Sequence, residues 1–146
     1  MPDAKPRAAK PRGAKPGAAK PRAFDLRERY LHLDNDGAAA TVEGGPVFWR
    51  RLMAGEASYE GRLITATDLA EDMGHWEMHP AGEELLFCQS GRFEVRLEGP
   101  DGETGVELGT GQAVVVPRGV WHRLRVREAG RMLFVTWGEG TRHRPL

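Results

Sequence analysis

The stretch that decides the fold is HWEMHPAGEELLFCQSG, residues 75–91. A β-strand places every second side chain on one face, so His75, Glu77 and His79 share a face of the predicted strand. Glu84 then opens an apolar run that is typical of a buried strand. If the polar face points inward it needs a compensating cation, because burying imidazoles beside a carboxylate without partners costs free energy. If it points outward, it is a solvated edge.

A second stretch, residues 111–127, carries one more candidate ligand. Turn residues at Pro117 to Gly119 precede an alternating segment in which His122 shares a face with Leu124. A histidine on an apolar face is, taken alone, more often a hydrogen-bonded core residue than a metal ligand. The first stretch favours the metal-ligand interpretation, because it offers further imidazole and carboxylate groups.

The chain beyond residue 58 alternates short strands with turns that contain glycine and proline. This pattern predicts an all-β sandwich or barrel. The strands are predicted at 92–98, 103–108, 113–116, 120–127 and 131–137, with a turn at 128–130 between the last two. Residues 24–55 give mixed signals. Within them, 46–53 is either a short helix that begins at a proline or a strand.

The two stretches together resemble the two signature motifs of the cupin superfamily. The matching residues are His79, Glu84 and Gly91 in the first motif, and Gly111, Pro117, Gly119 and His122 in the second. The resemblance covers about residues 58–137 and both motifs occur in the family's order. It implies a cupin-type double-stranded β-helix, that is, a jelly-roll barrel.

The resemblance also implies one divalent metal ion inside the barrel, bound by His79, Glu84 and His122. The sequence departs from the family pattern at Val126, where an asparagine is usual, and at Glu77, where a histidine is usual. Glu77 is then either a fourth metal ligand or a catalytic general base beside the metal. A ligand set rich in oxygen favours Fe(II) or Mn(II), with Ni(II) and Zn(II) as further candidates.

Three functions stay open from the sequence. The first is an enzyme, a metal-dependent oxygenase or isomerase acting on a small-molecule substrate. The alternative is a non-catalytic sensor or regulatory domain that binds a metal or ligand, and the third is a structural or storage metal site. Single-domain cupins often pair through their sheets, so a homodimer is expected. The polar segment 138–145 either covers the barrel mouth or frays.

The first 23 residues differ from the rest of the chain. They repeat an Ala-Lys-Pro unit four times and carry a net charge of +6, while residues 24–146, the predicted single domain, carry −6. The repeat cannot bury apolar surface, so residues 1–23 are predicted to be a disordered arm. The favoured interpretation is a solubilising tail, and the alternative is a weak nucleic-acid contact through its regularly spaced cations.

Cysteine content and hydropathy indicate the compartment. A single cysteine, Cys88, excludes an internal disulfide framework. No apolar run has the length of a membrane span, and none before Phe24 resembles a signal peptide. A cytoplasmic location without membrane contact is therefore expected.

Overall fold

The computed structural model describes residues 20–146. The predicted arm therefore lies outside the described residues as far as residue 19, and residues 20–23 are exposed coil. The described part is mostly β, as predicted. Its elements are β1 (Arg29–Leu33), β2 (Ala39–Glu43), α1 (Pro46–Met53), β3 (Arg62–Leu69), β4 (His75–Met78), β5 (Glu84–Gly99), β6 (Gly102–Gly109), β7 (Ala113–Val116), β8 (His122–Thr136) and β9 (Arg142–Pro145).

The strands form one hydrogen-bonded sheet that folds over into two layers. The long strands β5 and β8 are antiparallel neighbours and run through both layers. In the first layer the strand order is β2-β1-β3-β8-β5-β7, which uses the first half of β5 and the second half of β8. In the second layer the order is β9-β4-β8-β5-β6, with the other halves of the long strands. This is the predicted jelly-roll architecture.

The two long strands bend together at a pair of glycines. Gly91 has φ +83°, which favours glycine, and a Cβ on Gly130 would lie 2.1 Å from the carbonyl oxygen of Ser90. The pairing of β5 with β8 shifts register between Cys88 and Phe93, which is where the strands pass between layers. The turn predicted at 128–130 is wrong, because the bend keeps β8 continuous instead of ending it.

The core lies between the layers and draws equally on both. Four of its buried residues come from the first layer and four from the second; they are Leu86, Cys88, Val116 and Met132, and Phe93, Val95, Leu108 and Leu124. Their burial removes apolar surface from water, which is the main favourable term in folding. Cys88 is one of these core residues and is fully buried.

A smaller buried cluster joins β1, α1 and β3 through Tyr30, Phe48 and Leu63. The helix alternative for 46–53 is the correct one: Pro46 lies in the first turn of α1, and Gly55 follows the helix with φ +73°. Phe48 of α1 is buried against Tyr30, with their ring centroids 4.9 Å apart. Within residues 20–146, α1 has eight residues, and no helix is long and apolar enough to cross a membrane.

Candidate metal centre

The four predicted ligands meet at one end of the space between the layers. Glu77 of β4 lies directly opposite His122 of β8 in the second layer. Glu84 opens β5 opposite Thr136 in the first layer. His79 directly follows β4, on the connection between the layers. One potential ligand atom from each of the four lies within 4.8 Å of the others.

Carboxylate and imidazole atoms converge on a single point. The Glu84 Oε2 atom is 2.8 Å from the His122 Nε2 atom and 3.2 Å from the His79 Nε2 atom. The Glu77 Oε1 atom is farther away, at 3.6 Å from His122 Nε2 and 3.9 Å from His79 Nε2. The side chains of His79, Glu84 and His122 are at most 5% exposed, and that of Glu77 is 15% exposed. Glu77 therefore occupies the solvent side of the centre.

Hydrogen bonds on the far side of His79 leave a free lone pair aimed into the centre. The His79 Nδ1 atom is 2.7 Å from the Thr141 hydroxyl oxygen, and this hydroxyl donates its only proton to the Gly138 carbonyl at 2.8 Å. The hydroxyl oxygen must therefore accept a hydrogen bond from Nδ1–H. In the neutral ring the Nε2 atom of His79 carries a lone pair, and this atom is buried without a hydrogen-bond partner among the described residues.

His122 and Glu84 are oriented in the same way. The His122 Nδ1–H donates to the Val120 carbonyl at 3.1 Å, which leaves Nε2 of the neutral ring as a lone-pair donor. The Thr136 hydroxyl donates to Glu84 Oε1 at 2.6 Å, so Oε2 is the oxygen that faces the imidazoles. Such outer hydrogen bonds fix the tautomer and angle of metal ligands.

The electrostatics of the cluster require a positive charge at its centre. Burial by itself lowers the pKa of His122, but the carboxylates of Glu77 and Glu84 outweigh it and raise the pKa to about 10. Burial by itself raises the pKa values of the two carboxyl groups, yet His122 and its neighbouring imidazoles hold both below the usual range. The cluster thus binds a proton on His122 when no metal cation occupies the centre.

These residues fit a divalent metal ion. Two imidazole nitrogens and two carboxylates supply four ligand atoms, and the two negative charges balance a divalent cation. A proton on His122 leaves the Nε2 atom of His79 still without a partner, whereas a metal ion at the centre would bind it. The structure brings together all four predicted ligands; that they bind metal stays a prediction.

The surroundings of the centre contain residues that the sequence analysis missed. Strand β9 pairs with β4, so the C-terminal segment covers the centre instead of fraying. It contributes Thr141 and also His143, whose Nε2 atom is 3.6 Å from Glu77 Oε2. His75 shares the face of Glu77, as predicted, and contacts the His143 ring. Alternation in the segment from 141 to 145 was the available signal, but its pairing with β4 was not visible.

Comparison with known families identifies a cupin domain in this chain. Residues 68–138 match the cupin domain family Cupin_2. No curated protein matches the sequence. The matched segment contains both motifs and all four residues of the centre.

Solved structures of similar fold include several cupins. A cupin-2 domain protein from Shewanella frigidimarina has 16% identity and a TM-score of 0.46, covering 55% of this chain and 74% of its own. A cupin superfamily protein from Desulfitobacterium hafniense has 17% identity and a TM-score of 0.45, covering 55% and 70%. Peruvianin-I, a cysteine peptidase from Thevetia peruviana latex, has 17% identity and a TM-score of 0.50, covering 59% and 57%. At these identities the likeness concerns the fold alone.

Proposed function

Because the chain belongs to the cupin superfamily, we propose that it is a metal-dependent enzyme acting on a small organic molecule, as an oxygenase or isomerase. The observation that carries this proposal is the geometry of His79, whose Nε2 lone pair points into a buried cluster of carboxylates without a partner among residues 20–146. With His122 and Glu84 it offers two imidazoles and a carboxylate, a set that leaves open positions on a bound ion.

The donor set favours Fe(II) or Mn(II), with Ni(II) or Zn(II) as further candidates. An ion bound there supplies Lewis acidity and open coordination positions for a small ligand. The surrounding residues keep water away from the ion. The apolar core beneath the centre, including Leu86 and Leu124, excludes water, which strengthens every electrostatic interaction inside.

Glu77 is the candidate catalytic residue. The imidazoles hold the pKa of Glu77 below the usual range despite burial, so the carboxylate is ionised at neutral pH. The lowered pKa weakens it as a base, so its candidacy as a general base rests on its position beside the centre. It lies on the solvent side of the centre, with its side chain 15% exposed. The alternative role is a fourth ligand. Glu77→Gln separates the two roles: a general base predicts retained metal with lost turnover, whereas a ligand predicts weakened metal binding.

Elemental analysis tests the metal centre. Protein purified without chelator is expected to retain one tightly bound metal ion per chain, and His79→Ala and His122→Ala are expected to lose it. The matched control is His32→Ala, because His32 lies in β1 and contacts the Glu60 carbonyl, away from the centre. The proposal is contradicted if the folded wild-type protein holds no metal after loading with Fe(II), Mn(II), Ni(II) or Zn(II), and if its stability is the same before and after loading.

Turnover separates the enzyme from the second candidate, a non-catalytic sensor. The observation that favours a sensor is the basic repeat in residues 1–23, whose net +6 charge suits a tether to nucleic acid. Oxygen uptake by the Fe(II)-loaded protein, screened with diketones, catechols and thiols, supports the oxygenase. No uptake and no isomerisation across such a panel supports the sensor.

A further inference from the structure

A second group of metal-binding side chains lies on the solvent side of the centre. Strand β9 places His143 directly opposite Glu77, and His75 lies two residues before Glu77 on the same face of β4. The two imidazoles are in contact, with ring centroids 5.1 Å apart. One potential ligand atom from each of the three side chains lies within 4.8 Å of the others.

The Glu77 carboxylate faces both groups at once. Its Oε1 atom points to the imidazoles of His79 and His122, at 3.9 and 3.6 Å. Its Oε2 atom points the other way, 3.6 Å from the His143 Nε2 atom. The second oxygen is therefore unused by the inner centre and is available to another cation.

We propose that His75, Glu77 and His143 form a second binding site for a divalent cation, with Zn²⁺ as the best match to two imidazoles and one carboxylate. Three protein ligands leave at least one position for water or another small ligand. The site goes beyond the proposed function, which needs only the inner centre. The two sites share Glu77, so the carboxylate bridges them when both are filled.

The nearby cations point away from this site. Alternation along β9 places Arg142 and Arg144 on the face opposite His143. The Arg144 guanidinium lies 4.5 Å from the Trp121 ring centroid and pairs with Glu98. The His143 side chain is 29% exposed, so a bound ion exchanges with solvent. Weaker binding than at the inner centre follows, because Glu77 is the one carboxylate of this three-residue group and it is shared with the inner centre.

Equilibrium dialysis of the full chain against Zn²⁺ alone tests the proposal. The wild type is expected to bind two ions, one tightly and one more weakly. His143→Ala and His75→Ala are each expected to keep the tight ion and to weaken the second about tenfold or more. His32→Ala is the control and keeps both ions. Circular dichroism of each variant verifies that it folds. Unchanged binding of two ions by both the His75 and His143 variants overturns the second site.

The same titration separates this site from the inner centre. His79→Ala is expected to lose the tight ion and keep the weaker one. A wild type that binds a single ion, lost in His79→Ala and kept in His143→Ala, overturns the second site and leaves the proposed function intact. A single ion that is lost in His143→Ala and kept in His79→Ala supports the second site and overturns the proposed function. Visible absorption during Co²⁺ titration gives an independent readout, since its second step should be missing from His143→Ala.

Discussion

A single hydroxyl determines which nitrogen of His79 faces the metal centre. The Thr141 oxygen accepts a hydrogen bond from His79 Nδ1–H because the hydroxyl donates its own hydrogen bond to the Gly138 carbonyl. In Thr141→Val the shape is kept but the acceptor is lost, so the tautomer with a proton on Nε2 becomes competitive. We expect metal affinity to fall by about 10–100-fold and Thr141→Ser to restore it. Competition with a chromophoric chelator measures the affinity.

Equal metal affinity of the Thr141 variants would contradict this prediction. If the valine and serine variants bind metal equally well, the hydroxyl does not orient His79. The unfolding temperature of the metal-free variants shows whether packing changed, because a purely structural effect appears there as well. The serine variant is the matched control, since it keeps the hydroxyl and removes one methyl group.

The pH dependence of stability follows from His122. Its pKa is about 10 in the folded, metal-free protein and 6.5 at its ordinary value. Proton binding therefore stabilises the fold fully below about pH 6.5, and this contribution is lost as pH rises towards 10. Urea unfolding of metal-free wild type should show this fall relative to His122→Gln. Metal affinity should rise over the same range, because the ion displaces that proton. Parallel curves for the two proteins contradict the prediction.

Residues of the inner centre were predictable from local patterns, and their partners were not. Alternation placed His122 beside Leu124, and the motif spacing identified His79 and Glu84. Thr136 and Thr141 escaped prediction because each reaches the centre through pairing or folding of segments distant in sequence. Such register depends on the tertiary fold, which a single strand's pattern does not reveal.

At the scale of elements, the bend in β5 and β8 is the feature on which both layers depend. A Cβ on Gly130 would lie 2.1 Å from the Ser90 carbonyl oxygen and 2.7 Å from the Gly91 Cα. Gly130→Ala therefore forces the two backbones apart, and we expect a loss of about 1–3 kcal/mol in the free energy of unfolding. Gly74→Ala is the matched control, since a Cβ there meets nothing within 4 Å. Chemical denaturation measures both; equal stability of the two variants contradicts the prediction.

The elements after residue 58 followed the period-2 pattern, whereas those before it did not. The strands β1 and β2 went unpredicted because neither shows clear alternation, and four of the five residues of β2 are exposed. Helix α1 was one of two alternatives, and the proline at its start favoured it without excluding a strand. The single strand β8 was divided in two because Gly130 resembles a turn residue in the sequence, while in the fold it permits close approach of β5.

At the scale of the whole molecule, charge is divided between a basic arm and an acidic domain. Residues 1–23 carry +6 and residues 24–146 carry −6. We expect deletion of residues 1–23 to abolish retention on DNA at low salt, because the arm supplies the cations that displace counterions. Retention by the full chain should fall steeply as salt rises. Equal retention of the full and shortened chains shows that the arm is a passive tail.

The position of the inner centre between the layers has a consequence for exchange kinetics. His122 belongs to the second layer, Glu84 to the first, and His79 to the connection between them. An ion bound by all three is bonded to both layers, so its release requires either stepwise ligand loss or a local opening of the fold. Amide hydrogens of β4 and the start of β5 should therefore exchange more slowly with the ion bound. If release proceeds by local opening, the lifetime of the bound ion is set by the opening rate of the two layers.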